Sequence, residues 1–221
     1  MTHLKILFVR FSNRIREYEV TKFRGAVIAS LENKDVLFHN HQGEGFRYAY
    51  PLIQYKRING QAAILCIGDG ADAIKNFLQS EKITLCIGQR EEELEVELLQ
   101  ESFVPIQFSE NPHEYQIQRW LPFNAENYAT FLRADGLAEQ VSMLERILTG
   151  NILSALKGLG IRAEQQIKCS VKALTKPQIV QYKQTKLMSI DAIFRSNLVL
   201  PDFIGLGKHV SVGFGTVRQQ Y

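Results

Sequence analysis

An α+β fold of two tandem ferredoxin-like domains with antiparallel sheets is what this 221-residue sequence predicts, and three observations lead there. The first half runs strand, helix, strand, hairpin, strand, helix, strand by its hydrophobic periodicity. The second half carries another strand-helix-strand-strand-strand set. With 45% hydrophobic and 22% charged residues, each half can bury its own core. The boundary is expected near residue 108, giving an N-terminal domain over 1–108 and a C-terminal domain over 109–221.

The elements follow in order. Leu4-Lys-Ile-Leu-Phe-Val9 is a short apolar run of the buried-strand kind. Phe23, Val27, Ile28 and Leu31 recur at helical spacings, so a helix is expected from about Val20 to Leu31, broken by Asn33-Lys34-Asp35. Val36-Leu-Phe-His39 reads as a short strand and Gln42-Gly-Glu-Gly45 as a turn. Phe46 to Ile58 and Gln61 to Ile67 are strands joined by Asn59-Gly60, a strong hairpin signal. Gly68-Asp-Gly70 closes the second of these and opens a short helix from about Ala71 to Leu78. A strand over Ile83–Gly88 and an alternating, half-exposed strand over Glu93–Leu98 complete this half.

In the second half, Tyr115–Phe123 reads as a strand, and Asn124 is a good N-cap for a helix that Gly136 ends. A second helix carries Leu137, Val141, Leu144 and Leu148 on one stripe and stops at Gly158-Leu-Gly160. Two long strands are expected at Arg162–Leu174 and Gln178–Ser196 around the Lys176-Pro177 turn, and a last one at Val210–Arg218. The second helix of this half is shortened or replaced by Leu200-Pro-Asp-Phe-Ile204.

The composition excludes disorder and a disulfide-stapled miniprotein. The longest apolar stretches, such as Ala62-Ala-Ile-Leu-Cys-Ile67, fall far short of a bilayer-spanning helix, and the start lacks a signal-peptide layout. A soluble cytoplasmic protein with no membrane partner is expected. Cys66, Cys86 and Cys169 are isolated from one another, so buried, reduced thiols are the reading. The net charge of +3 is unevenly shared. Residues 1–110 hold 13 Lys and Arg against 15 Asp and Glu, and the remainder hold 13 against 8. Between Lys157 and Arg195, Lys157, Arg162, Lys168, Lys172, Lys176, Lys183, Lys186 and Arg195 face only Glu164 and Asp191. Such a stripe is the footprint of a phosphate-backbone binder or a solvated face.

Gly205-Leu-Gly-Lys-His-Val-Ser-Val-Gly-Phe-Gly215 meets neither the dinucleotide fingerprint, which needs a helix after it, nor the P-loop, since His209 follows Lys208. It reads either as a tight turn feeding an edge strand or as a loop whose exposed amides cradle an anion with Lys208 supplying charge. This Gly-x-Gly-Lys-x-x-x-x-Gly-x-Gly pattern, after Leu-Pro-Asp-Phe and before the last strand of a tandem ferredoxin-like chain, resembles the RAMP superfamily. More narrowly, it resembles the CRISPR-associated endoribonucleases that process precursor CRISPR RNA. The resemblance rests in detail on Leu200–Val217 and on Val36–Lys56, where that family places its catalytic histidine between the first helix and the second long strand.

His39 and His41 lie two apart, so in an extended segment their imidazoles project to one side. RNA self-cleavage needs a base for the 2′-hydroxyl, an acid for the departing 5′-oxygen, and a cation for the phosphorane. Imidazole suits both proton transfers near neutral pH. A pair of zinc ligands or a plain polar loop would use the same two residues, although no third ligand of obvious spacing accompanies them. The resemblance implies a metal-independent endoribonuclease acting on CRISPR repeat RNA, with a 2′,3′-cyclic phosphate and a 5′-hydroxyl as products. It implies a cation near the histidines, for which Arg47 is the candidate with Lys56 behind it. Tyr50 reads either as a hydrogen-bond partner of the cleavage phosphate or as a strand residue packed with its hydroxyl at the surface. The alternative is a non-catalytic RNA-binding RAMP subunit of a ribonucleoprotein complex.

The RNA, a repeat that can form a hairpin, is expected on Lys168, Lys172, Lys176 and Lys183 together with Gly205, Gly207, Lys208, Gly213 and Gly215. Alternation puts Lys168, Lys172 and Lys176 on one face if their strand is regular. Tyr115, Trp120, Phe123 and Phe214 could stack on bases or fill the core. No cofactor and no metal are expected. A homodimer or association with a CRISPR effector complex is left open.

Overall fold

The computed structural model describes residues 2–31, 41–42, 45–46, 50–80 and 82–220, with only the strand course at 41–42 and 45–46. Contacts divide the chain into two compact units. One comprises His3–Val104 with Ser211–Gly213, and the other Met1–Thr2, Pro105–Val210 and Phe214–Tyr221.

In the N-terminal unit, β1 (Thr2–Arg14) leads through a short 3-10 turn at Glu17–Glu19 into α1 (Val20–Ser30). The two-residue strands β2 (His41–Gln42) and β3 (Gly45–Phe46) pair with each other, His41 opposite Phe46. β4 (Ile53–Ile58) and β5 (Gln61–Ile67) form the expected hairpin, with β4 beginning at Ile53 rather than at Phe46. Asn59 and Gly60 both sit at positive φ, 53° and 89°, as a tight primed turn between twisted strands requires. α2 (Asp69–Ala73) and α3 (Lys75–Leu78) replace the single expected helix and meet at Ile74, which is fully buried. β6 (Ile83–Ile87) and β7 (Arg90–Leu94) form a separate hairpin, and β8 (Val96–Ile106) follows.

The main sheet of this unit has the order β4-β5-β1-β8, the ferredoxin-like order. Its fourth strand is therefore β8, whereas the hydrophobic pattern put Ile83–Gly88 there. The alternating Glu93–Leu98 run is not one strand: it breaks at Glu95 between β7 and β8. The acids of this region hold cations and polar groups. Arg90 pairs with Glu19 and Glu92 at 3.0 and 3.1 Å, and Ser12 Oγ donates to Glu95. Phe11, Phe23 and Tyr55 pack edge to face between the sheet and α1. Cys66 is buried as expected, Cys169 is half-buried, and Cys86 is exposed because the alternation of β6 turns Ile83, Leu85 and Ile87 inward.

The C-terminal unit holds β9 (Phe108–Trp120), α4 (Ala125–Arg133), α5 (Leu137–Gly158), β10 (Cys169–Leu174), β11 (Gln178–Tyr182), β12 (Thr185–Leu198) and β13 (Thr216–Gln219). Asn124 caps α4, its side chain accepting from Asn127 N at 2.7 Å. Gly136, expected to end α4, is instead the N-cap of α5. The sheet order β10-β12-β9-β13, with β11 beside β12, repeats that of the N-terminal unit. Leu200–Ile204 forms a turn where the second helix of this half would stand.

Four expected strands change: the one read at Tyr115–Phe123 is β9, which runs from Phe108 to Trp120. Residues 162–168 are irregular, so the first of the long strands is only β10. Gln178–Ser196 folds back at Lys183-Gln184 into β11 and β12. Val210–Val212 is a 3-10 turn, and only Thr216–Gln219 is strand. Among the described residues, no helix is long and apolar enough to cross a membrane.

Candidate functional site

The segment that carries the candidate proton-transfer pair lies largely outside the described residues. His39 and Arg47 fall there, and for His41 only the backbone course in β2 is described. What the structure does describe is the stretch that follows that segment in the chain. Tyr50 precedes β4, and the fully buried Gln54 side chain donates from Nε2 to Tyr50 Oη at 3.0 Å and to Pro51 O at 3.1 Å. An amide donating twice leaves its neighbour little rotational freedom, so Gln54 orients both the phenol and the turn before the strand.

Lys56 lies two residues beyond Gln54, hence on the same face of β4. It is fully buried, and burial pulls its ammonium pKa down to about 7. Tyr55 faces the other way into the apolar core against Phe23, where burial pushes its phenol pKa up. Gly213 belongs to the N-terminal unit: a Cβ there would come 3.4 Å from Tyr55 O and 3.7 Å from Lys56 Cα. Alternating polar and apolar residues along Ile53–Ile58 normally signal an outward polar face. Both Gln54 and Lys56 are buried instead, and nothing in a single strand's pattern announces that.

The glycine-rich loop folds on itself. Leu206 N donates to Gly215 O at 2.8 Å, Gly215 N donates to Arg119 O at 3.1 Å, and Gly205 bridges to Thr216. Gly215 sits at φ 62°, and a Cβ there would fall 1.9 Å from Leu206 O. Gly207, at φ 93°, lies against the Trp120–Asn151 hydrogen bond, with a Cβ reaching 3.1 Å from Trp120 Nε1. These two glycines are required by the loop's own packing. Lys208 extends from the loop, its Nζ donating to Phe123 O at 2.6 Å, and burial lowers its pKa.

Lys168, Lys172, Lys176 and Lys183 are exposed, as is Lys186. Among the described residues none of these five is in an ion pair, whereas Arg195 is tied to Glu114 at 2.9 Å. Their strand is not regular. Lys168 and Lys176 lie outside β10, and the register shifts between Val171 and Ala173, which makes Lys172 the bulge residue. Tyr115, Trp120 and Phe214 are buried in the core, and Phe123 packs on Phe131 at 4.7 Å. Sequence reasoning did not find the ring stack of Tyr182 and His209, 4.2 Å apart by centroid. Tyr182 comes from a hairpin with no glycine, proline or asparagine in its turn, and His209 from the glycine-rich loop. Among the described residues no cluster of three metal-ligating side chains occurs.

Comparison with known proteins covers the whole length. The Cas6b N-terminal domain model matches residues 2–104 and the Cas6b C-terminal domain model residues 107–220. A crystal structure of Cas6b superposes with a TM-score of 0.90 at 27% identity, over 99% of this chain and 100% of that one. A second, of a CRISPR RNA processing endoribonuclease Cas6b, gives a TM-score of 0.74 at 26% identity over the same shares. An uncharacterised protein of Methanocaldococcus jannaschii is 36% identical over 112 residues, 49% of this chain and 74% of that protein. With both halves matched in order, the chain belongs to the Cas6b family.

Proposed function

We propose that this protein is an endoribonuclease that cleaves CRISPR repeat RNA without a metal ion, leaving a 2′,3′-cyclic phosphate and a 5′-hydroxyl. The observation that carries this reading is the match of both halves to Cas6b, together with the likeness of the whole chain to a CRISPR RNA processing endoribonuclease of that family.

His39 and His41 form the proton-transfer pair. One imidazole takes the proton from the 2′-hydroxyl as the 2′-oxygen bonds to the adjacent phosphorus. The bond from phosphorus to the 5′-oxygen breaks, and the other, protonated imidazole donates to that oxygen. Arg47 offsets the charge that develops on the crowded phosphate. Tyr50, whose hydroxyl accepts a hydrogen bond from Gln54, is the candidate donor to the cleavage phosphate. Residues 1–108 thus supply the chemistry.

Residues 109–221 hold the RNA. Lys168, Lys172, Lys176 and Lys183 contact phosphates, and Lys208 does so from the loop whose course Gly205, Gly207, Gly213 and Gly215 set. The working compartment is the cytoplasm, and a homodimer or a place in a CRISPR effector complex is decided by sizing the protein with and without RNA. Cleavage of a repeat RNA in excess chelator tests the chemistry. Activity should persist, and the upstream product should resist 3′-end labelling until its cyclic phosphate is opened and the resulting monophosphate removed. Loss of activity on chelation would overturn the metal-free mechanism, and tight binding without cleavage would leave a non-catalytic RNA-binding subunit.

A further inference from the structure

A cluster of cations and aromatic rings stands in the C-terminal unit, where the turn of the β11–β12 hairpin meets the glycine-rich loop. The Tyr182 and His209 rings stack with centroids 4.2 Å apart and planes tilted by 34°. Phe214, which is buried, meets both edgewise, at 5.8 Å from Tyr182 and 6.1 Å from His209. Beneath it, Arg119 Cζ lies 4.3 Å from the Phe214 centroid. Lys183 Nζ lies 5.8 Å from the Tyr182 centroid, and Lys208 precedes His209 in the chain.

The backbone of this cluster is unusual. Arg119, Lys183 and His209 hold φ of 52°, 53° and 55°, and they are three of the five non-glycine residues at positive φ among those described. Side-chain-bearing residues adopt that region at a cost and persist there where surrounding structure dictates it, which is often at functional sites. The Arg119 backbone is pinned by its N–H donating to Asp191 Oδ1 at 2.7 Å. One face of His209 is covered by Tyr182 and its edge meets Phe214, yet the residue is exposed, so ring surface remains for a third planar group. Burial, with Lys208 and Lys183 close by, lowers the imidazole pKa, which leaves the ring neutral and the positive charge to the lysines.

We propose that Tyr182 and His209 form a stacking platform for one unpaired RNA base, with Lys183 and Lys208 on its flanking phosphates. The platform is a nucleotide site apart from the cleavage histidines, and it rests on the reading of the protein as an RNA binder. Base-on-ring stacking tolerates any base, and the two lysines give it a backbone to hold. The site therefore selects single strand over duplex, and in a hairpin repeat it takes a nucleotide outside the stem.

The test uses the full-length protein and a nine-residue oligouridylate whose central base is 2-aminopurine, a fluorophore quenched on stacking. Wild type and Tyr182→Phe should quench it on binding. Tyr182→Leu and His209→Leu should lose the quench and bind about tenfold more weakly, with melting temperatures unchanged. Should either leucine variant melt early, Lys183→Glu at the hairpin turn serves instead, with the same loss of affinity expected. Quenching that survives in both leucine variants, or affinity unchanged in Lys183→Glu, overturns the platform. A repeat hairpin, run alongside, separates the two readings. Binding of the hairpin with no quench of the oligouridylate by wild type rejects the platform alone, and binding of neither RNA rejects the RNA-binding function with it.

Discussion

In the proposed function the chemistry rests on two side chains, His39 and His41, while a third, Lys56, is buried in the strand that follows them in the chain. General acid and base groups each contribute about 10²–10⁴-fold. His41→Ala is therefore expected to cut repeat-RNA cleavage to near background while binding stays within a few-fold, and His39→Ala to be impaired less. Single-turnover rates measured beside binding isotherms check this, and a parallel fall in affinity would recast the histidines as RNA contacts. Lys56 offers a separate measurement. Its pKa of about 7 lies below that of the unfolded chain, so between roughly pH 7 and 10.4 the unfolded state binds more protons. Stability should then rise with pH across that window through this group, and its contribution should be flat below pH 7. Lys56→Met should be more stable than wild type at pH 7 and converge on it by about pH 10.5, as urea melts at each pH would register. A stability gap independent of pH would contradict the account of Lys56 as a desolvated ammonium.

Within elements, the same chemical change has opposite consequences at two glycines. Gly150 lies inside α5 with open space where a Cβ would go, so Gly150→Ala should stabilise by up to about 1 kcal/mol. Gly215 combines positive φ with a Cβ position 1.9 Å from Leu206 O, and Gly215→Ala should destabilise by well over 2 kcal/mol. Thermal melts of the two variants are the check, and equal shifts would refute the packing argument. Local pattern explains which elements were legible. Asn59-Gly60 names its own turn, and Asn124 its own cap. The turn at Lys183-Gln184 has no such residues, yet Lys183 holds φ 53° there, a region that a two-residue hairpin turn calls for and that lysine does not itself favour. The exchange of β8 for Ile83–Gly88 as fourth strand has a similar cause. Ile83–Ile87 alternates cleanly and β8 does not, so local pattern favours the wrong run and only the partner strand decides which joins the sheet.

For the molecule as a whole, the N-terminal half is acidic and the C-terminal half basic, which agrees with the proposed division between cutting and holding RNA. The lysines of 168–186 make no ion pair among the described residues, so each is available to displace a counterion from RNA. Lys172→Ala with Lys176→Ala should weaken binding and reduce the salt dependence of the affinity by roughly one phosphate contact each; an unchanged slope in a salt titration would remove these two from the interface. The candidate site was legible only in part, for physical reasons. The charge stripe and the glycine spacing are properties of the chain and survive folding, as Lys208 and the loop show. The burial of Gln54 and Lys56, the bulge at Lys172 and the Tyr182–His209 stack arise from segments distant in sequence, which no periodicity encodes.

The claim on which everything else depends is that the attacking nucleophile belongs to the RNA and that the protein supplies only protons and charge. The most direct measurement is cleavage of a repeat RNA carrying a single 2′-deoxy nucleotide immediately upstream of the cut, in excess chelator. Lacking the attacking hydroxyl, that RNA should bind with the affinity of the all-ribose repeat and remain whole, while the all-ribose control is cut. Cleavage of the 2′-deoxy RNA at the normal rate would mean that water or a protein group attacks instead, and would contradict the mechanism assigned to His39 and His41.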